Sequence, residues 1–248
     1  MEETVTEYLY EQISELRDFH KGLASVVERD NKIVVTGVLS FEASAEGLEV
    51  ITGCFDIELL VPHNYPDMLP QVKETGGNIN SNYNHINADA TLCLAVPIEE
   101  RRIFLEEPTL LGFVNRIVIP YLYGFSYWKK HGLHPFNEAE HGAKGIAQHY
   151  INALNLSGDN SALSVICFLM EHGYRGHHDC PCGSGRRVRS CHGPMLLSLH
   201  QTHTPHTLQA DFLAILNVCL EKVEKKDAVI PEPLLKKAYR LYKQLDNG

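Results

Sequence analysis

Residues 48–70 read LEVITGCFDIELLVPHNYPDMLP. The first fourteen are rich in β-branched and aromatic side chains and read as one or two strands. That pattern stops at Pro62, Pro66 and Pro70, three prolines at four-residue spacing. Each fixes φ and lacks an N–H, so the segment forms neither a helix nor a central strand. Upstream, Lys32 to Ala43 (KIVVTGVLSFEA) alternates as a strand does, and Ala45-Glu-Gly47 supplies the turn between. Downstream, Gln71 to Thr75 predicts a short strand that Gly76-Gly77 breaks. Together these make an antiparallel meander. An amphipathic helix over 3–21 precedes it, with Val5, Leu9, Ile13 and Leu16 at helical spacing. The expected fold class is α+β, with a four-stranded antiparallel sheet.

Past the meander, residues 78–87 are polar and rich in Asn, which suits irregular backbone. Cys93 therefore sits where a long loop re-enters apolar surroundings. Pro108 opens a helix over Thr109 to Tyr127, with Leu110, Phe113, Val114, Ile117 and Val118 on its apolar face; Pro120 should end or kink it. Glu138 to Leu154, Ala162 to Glu171, Leu208 to Lys225 and Pro233 to Leu245 read as further helices. Leu156-Ser-Gly-Asp-Asn-Ser161 is the best linker, which divides the chain into a domain over 1–156 and a mainly helical one over 157–248. No internal repeat or low-complexity tract interrupts this order.

The 248 residues carry a formal charge of −9. That balance argues against a general nucleic-acid or membrane-surface binder, which needs an excess of Lys and Arg. No apolar run has the length of a bilayer span, and the acidic start Met-Glu-Glu-Thr is unlike a secretory leader. A cytoplasmic location is expected. Seven cysteines, an odd number, then point to metal ligation or thiol chemistry rather than a disulfide framework.

Three of them fall in Asp179-Cys-Pro-Cys-Gly-Ser-Gly-Arg-Arg-Val-Arg-Ser-Cys-His-Gly193, spaced C-x-C-x8-C-H. Four donors on two short arms suit a closed tetrahedral zinc site with no position left for water. Its ligands would be Cys180, Cys182, Cys191 and His192, with Gly183 and Gly185 allowing the turn between the arms. The alternatives are a surface loop with coincidental cysteines, or a redox pair. His177 and His178 could stand in for a ligand, whereas His200, His203 and His206 surround Pro205 and read as loop. The stretch resembles the SEC-C motif, the small zinc element at the C-terminus of the SecA translocase. That resemblance covers about fifteen residues and implies structural Zn2+ and a bacterial origin, but no reaction. Arg186, Arg187 and Arg189 make it locally basic, and read either as a solvated face or as a dock for an acidic or ribosomal surface.

The remaining motifs run Gly53-Cys-Phe55, Pro62-His-Asn-Tyr65-Pro66-Asp-Met-Leu-Pro70-Gln-Val72, His85-Ile-Asn87 and Leu92-Cys93-Leu94. This ordered set resembles ubiquitin-conjugating enzymes (the UBC-like fold) over residues 3–128. In that family a glycine and an aromatic lead a strand into P-x-x-Y-P-x-x-x-P-x-V, and His-Pro-Asn precedes the catalytic cysteine. Three departures stand out: Ile86 replaces the proline, the interval from Asn87 to Cys93 is short, and Ala90 stands where glycine is usual. With Tyr127-Trp128-Lys-Lys-His-Gly132 and Glu140-His141-Gly142, the chain looks like the bacterial branch found in antiphage operons.

The resemblance implies that Cys93 accepts the C-terminus of a ubiquitin-like modifier as a thioester from a ThiF-type activating-enzyme-like protein. It would then pass the modifier to the lysine of a protein substrate. A thiolate suits this role as both nucleophile and leaving group. Asn87 is then the candidate oxyanion donor or loop holder, and His85 a brace for the loop rather than a base. His141 reads either as approaching Cys93 from a later segment or as packed in a turn, and Glu106-Glu107 more naturally favours a helix start. No Cys–His–Asp triad is legible. The other reading is a catalytically inactive UBC-like adaptor stapled by zinc. Cys54, Cys167 and Cys219 lie in apolar patterns and read as core.

Overall fold

The computed structural model describes residues 2–80, 83–136 and 142–246. His141 lies outside them. The chain divides into two units, one of residues 1–95 with 99–138, the other of 139–248 with 96–98.

The first unit opens on helix α1 (Glu2–Phe19) and continues through strands β1 (Ser25–Arg29), β2 (Lys32–Ala43), β3 (Ile51–Pro62) and β4 (Gln71–Glu74). The strands form one antiparallel sheet in the order β1-β2-β3-β4. The residues after Gly47 form a single strand, and β1, which has no strong alternation, was not legible in the sequence. Asp30 and Asn31, both at positive φ, make the tight turn into β2. From α1, Leu9, Ile13 and Leu16 enter the core beside Val35, Leu39, Ile57 and Leu59 of the sheet. Each such side chain contributes about 2 kcal/mol on burial.

The proline segment is fixed from two sides. Tyr65, 3% exposed, donates its hydroxyl to Gln12 Oε1 at 2.9 Å, and that oxygen also accepts from the Leu110 N–H at 2.8 Å. Burial drives the Tyr65 hydroxyl far above its ordinary pKa. Arg101 of helix α2 (Pro97–Phe104) donates to the Pro66 carbonyl, and Phe104 meets the Tyr65 ring edge-on at 5.8 Å.

Thr109 caps helix α3 (Leu110–Phe113) by accepting from the Gly112 N–H at 2.9 Å. The chain then takes one π-helical turn (Val114–Val118) and continues as α4 (Ile119–His131). Pro120, expected to end or kink this helix, does not end it. The widened turn lies immediately before it, where an α-helical ladder would require the N–H that proline lacks. Gly132, at φ 70°, ends α4 and donates to the Trp128 carbonyl at 2.7 Å.

The second unit holds α5 (Gly142–Leu154), α6 (Asp159–His172), α7 (Gly193–Thr202), α8 (Pro205–Glu224) and α9 (Glu232–Asp246). The expected domain boundary at 156/157 lies inside it. Ile146, Tyr150 and Leu154 give α5 an apolar face that is buried with Ile166 of α6 and Phe212 and Ile215 of α8. The Leu156–Ser161 stretch is accordingly a tight connection, with Asn155 at φ 49° and Gly158 at φ 150°.

Candidate functional sites

Cys93 closes a short hairpin. Ile86 and Leu92 form an antiparallel bridge, and on either side the Cys93 N–H reaches the His85 carbonyl (2.9 Å) and the Asn87 N–H the Thr91 carbonyl (2.8 Å). Leu92 anchors the hairpin: its side chain is 5% exposed in the sheet core and its N–H bonds the Val72 carbonyl of β4 at 2.7 Å. The turn itself is tied by side chains. Asn87 Nδ2 donates to Thr91 Oγ1 at 2.9 Å, and that hydroxyl donates to Asp89 at 2.6 Å. Hydrogen bonds from Thr91 hold the Asp89 carboxyl below its usual range. Ala90 adopts φ 64°, the left-handed conformation that glycine takes most easily, so the position where glycine is usual is occupied at a steric cost.

The sequence-predicted residues thus lie on one element. Asn87 is engaged in its own turn. The His85 carbonyl accepts from both the Cys93 N–H and the Tyr121 hydroxyl (2.7 Å), while its ring packs 5.0 Å from Tyr83 and 5.3 Å from His134. One further group acts on the half-buried thiol. Burial, and secondarily the charge of Glu100, push the Cys93 thiol above its ordinary value. The Glu100 residue is partly buried, and desolvation raises its carboxyl to about 8. Pro97-Ile-Glu-Glu100, a proline followed by acids, is the pattern of a helix start and could have placed Glu100 one turn into a helix after Cys93. Tyr121 left no comparable signal, lying within a run of apolar residues. Glu106 does not open a helix: it follows α2 and pairs with Arg102 (2.7 Å) and Arg116.

A second short hairpin carries the Cys/His cluster. Asp179 and Arg187 form its bridge, and Gly183 (φ 83°) and Gly185 (φ 72°) turn the chain between the arms. The donor atoms of Cys180, Cys182, Cys191 and His192 all lie within 4.8 Å of one another. The Cys182 and Cys191 sulfurs are 3.6 Å apart, and His192 Nδ1 is 3.3 Å from both Cys180 Sγ and Cys191 Sγ. Thiolates each ~2.3 Å from one tetrahedral ion stand ~3.8 Å apart, so the four fit a common metal ion. The His192 ring is oriented for this: Nε2–H donates to the Leu154 carbonyl at 2.8 Å, which leaves the Nδ1 lone pair free to bind a metal. Arg186 Nη2 donates to Cys191 Sγ at 3.2 Å. His177 and His178 stand outside the group of four and meet edge-on, their ring centres 4.7 Å apart.

The histidines after α7 hold another unanticipated feature. His203, read as loop, is 7% exposed, with Nδ1 3.0 Å from the Leu199 carbonyl and Nε2 3.3 Å from the Tyr150 hydroxyl. Tyr150 donates to Asp211 Oδ2 at 2.7 Å, so three buried polar groups tie α5, α7 and α8 together. No helix among the described residues is long and apolar enough to cross a membrane. The sequence matches no known family, and neither curated proteins nor solved structures give a match.

Proposed function

We propose that the first unit is a UBC-like thioester carrier in which Cys93 receives the C-terminal carbonyl of a ubiquitin-like modifier and passes it to an amine. The observation that carries this reading is the placement of Cys93: a half-buried thiol at the end of a pinned hairpin, within the field of the partly buried Glu100 carboxyl. In loading, the Cys93 sulfur attacks the thioester carbonyl on an activating enzyme. A new C–S bond forms, the donor's C–S bond breaks, and the thiol proton leaves for a base. Glu100, with a pKa of about 8, holds or releases a proton near neutral pH and can take that part. In transfer, an amine forms the C–N bond, loses its proton, and the Cys93 thiolate departs and is reprotonated. Asn87 and His85 hold the hairpin in shape. The four-residue cluster is a SEC-C-like structural Zn2+ site that staples the second unit, and the setting is bacterial antiphage defence.

The test is loading with the modifier and its activating enzyme, which should give a thiol-sensitive adduct that Cys93→Ala abolishes. One observation favours a second reading, an inactive adaptor: the thiol is raised rather than lowered. In that case an alkylating probe labels Cys93 no faster than exposed Cys54, and partner binding survives Cys93→Ala.

A further inference from the structure

Strand β4 is shorter than its partner. It pairs with β3 only from Ile57 to Leu60, followed by one more bond from the Thr75 N–H to the Asp56 carbonyl at 2.8 Å. Beyond that point the chain is drawn off the sheet by Glu74, whose carboxylate collects the Gly76 N–H (3.0 Å), the Ile79 N–H (3.2 Å) and the Asn78 amide (3.2 Å). The first five residues of β3, Ile51 to Phe55, remain paired with β2 on one side only. Backbone groups alternate sides along a strand, and those of Asp56 face β4. The N–H and C=O of Thr52 and Cys54 therefore face the same way, and no described residue bonds them there. An open groove of 340 Å³ runs along this edge, walled on the other side by Phe125, Ser126, Lys129 and Lys130 of α4.

We propose that this groove binds an extended acidic peptide, which adds to β3 as a fifth strand and places a carboxylate against Lys129. The inference is independent of the reading of Cys93. Four backbone groups on Thr52 and Cys54 match one strand of three to four residues, and the five-residue edge is ~17 Å long. Lys130 is already paired with Glu49 at 2.6 Å. Lys129 is exposed, lies 5.6 Å from the Phe125 ring centre, and has no carboxylate partner among the described residues. Although the protein is acidic overall, charges more than ~8 Å apart are largely screened at physiological salt, so a peptide in the groove meets the local lysines. An uncovered strand edge is also a hazard, and a lysine beside it disfavours pairing with non-acidic strands.

The test uses the full chain and a fluorescein-labelled eight-residue peptide of alternating Val and Glu. Anisotropy should report binding, and the Thr52 and Cys54 backbone amides should shift in the NMR spectrum. N-methylation of alternate peptide amides removes donors without touching the protein and should weaken binding at least tenfold. Lys129→Glu should weaken it severalfold, whereas Lys236→Glu, on an exposed helix elsewhere, should not. Absence of binding at millimolar peptide, indifference to N-methylation, or shifts confined to other residues would each overturn the proposal. So would concentration-dependent pairing of β3 edges between two copies of the chain.

Discussion

Two short hairpins in this chain are each closed by a single bridge, Ile86 with Leu92 and Asp179 with Arg187, and each presents cysteine. They are stabilised in opposite ways. The first hangs from its surroundings: Leu92 sits in the sheet core, Val72 and Tyr121 supply hydrogen bonds, and its one thiol is left without a covalent role in the fold. The second turns its donors inward on one another, with Arg186 and the Leu154 carbonyl orienting them. A site whose donors converge declares its ligand through geometry alone. A site with a single poised thiol does so only through its reaction partner.

The largest effect should come from opening the inward-facing hairpin. Cys191→Ala is expected to lose the bound metal, read by elemental analysis, and to destabilise the second unit by more than ~4 kcal/mol in denaturant. If the variant keeps both metal and stability, the cluster is not a structural site. The outward-hanging hairpin should instead respond to its anchor. Leu92→Ala should cost about 3 kcal/mol and expose Cys93 to alkylation, whereas Cys93→Ala itself should change stability by less than ~1 kcal/mol. A larger loss for Cys93→Ala than for Leu92→Ala would reverse the comparison.

The Glu100 carboxyl gives a pH signature. Its folded pKa is raised, so its favourable contribution is complete below 4.5 and is lost as pH rises towards about 8. Glu100→Gln should flatten the stability profile across that window. It should also move the pH midpoint of Cys93 alkylation downward, because a negative charge that disfavours the thiolate is gone. An upward shift would contradict the account. The smallest effect is expected at Ala90→Gly, which relieves the left-handed backbone and should stabilise the first unit by about 0.5–1 kcal/mol in a thermal melt. Destabilisation there would mean the turn is not strained.

Legibility followed the same division. Strands β2 to β4 and most helices could be read because alternation, helical spacing and prolines are local signals, and the four clustered Cys and His donors because their spacing is compact. Pro120 was no end signal, since a π-helical turn immediately before it lets the helix run on. The boundary at 156/157 misled because a Gly-Ser-Asn stretch looks the same whether it links domains or turns tightly between α5 and α6. Tyr121 and His203 act through distant partners, and nothing in their own neighbourhoods announces a site.

The central claim concerns Cys93, and intact-mass spectrometry of the loading reaction with the modifier, activating enzyme and ATP tests it most directly. The account predicts a mass increase equal to the modifier less one water, removed by dithiothreitol and absent from Cys93→Ala. An adduct that persists in Cys93→Ala, or resists the thiol in the wild-type chain, would contradict it.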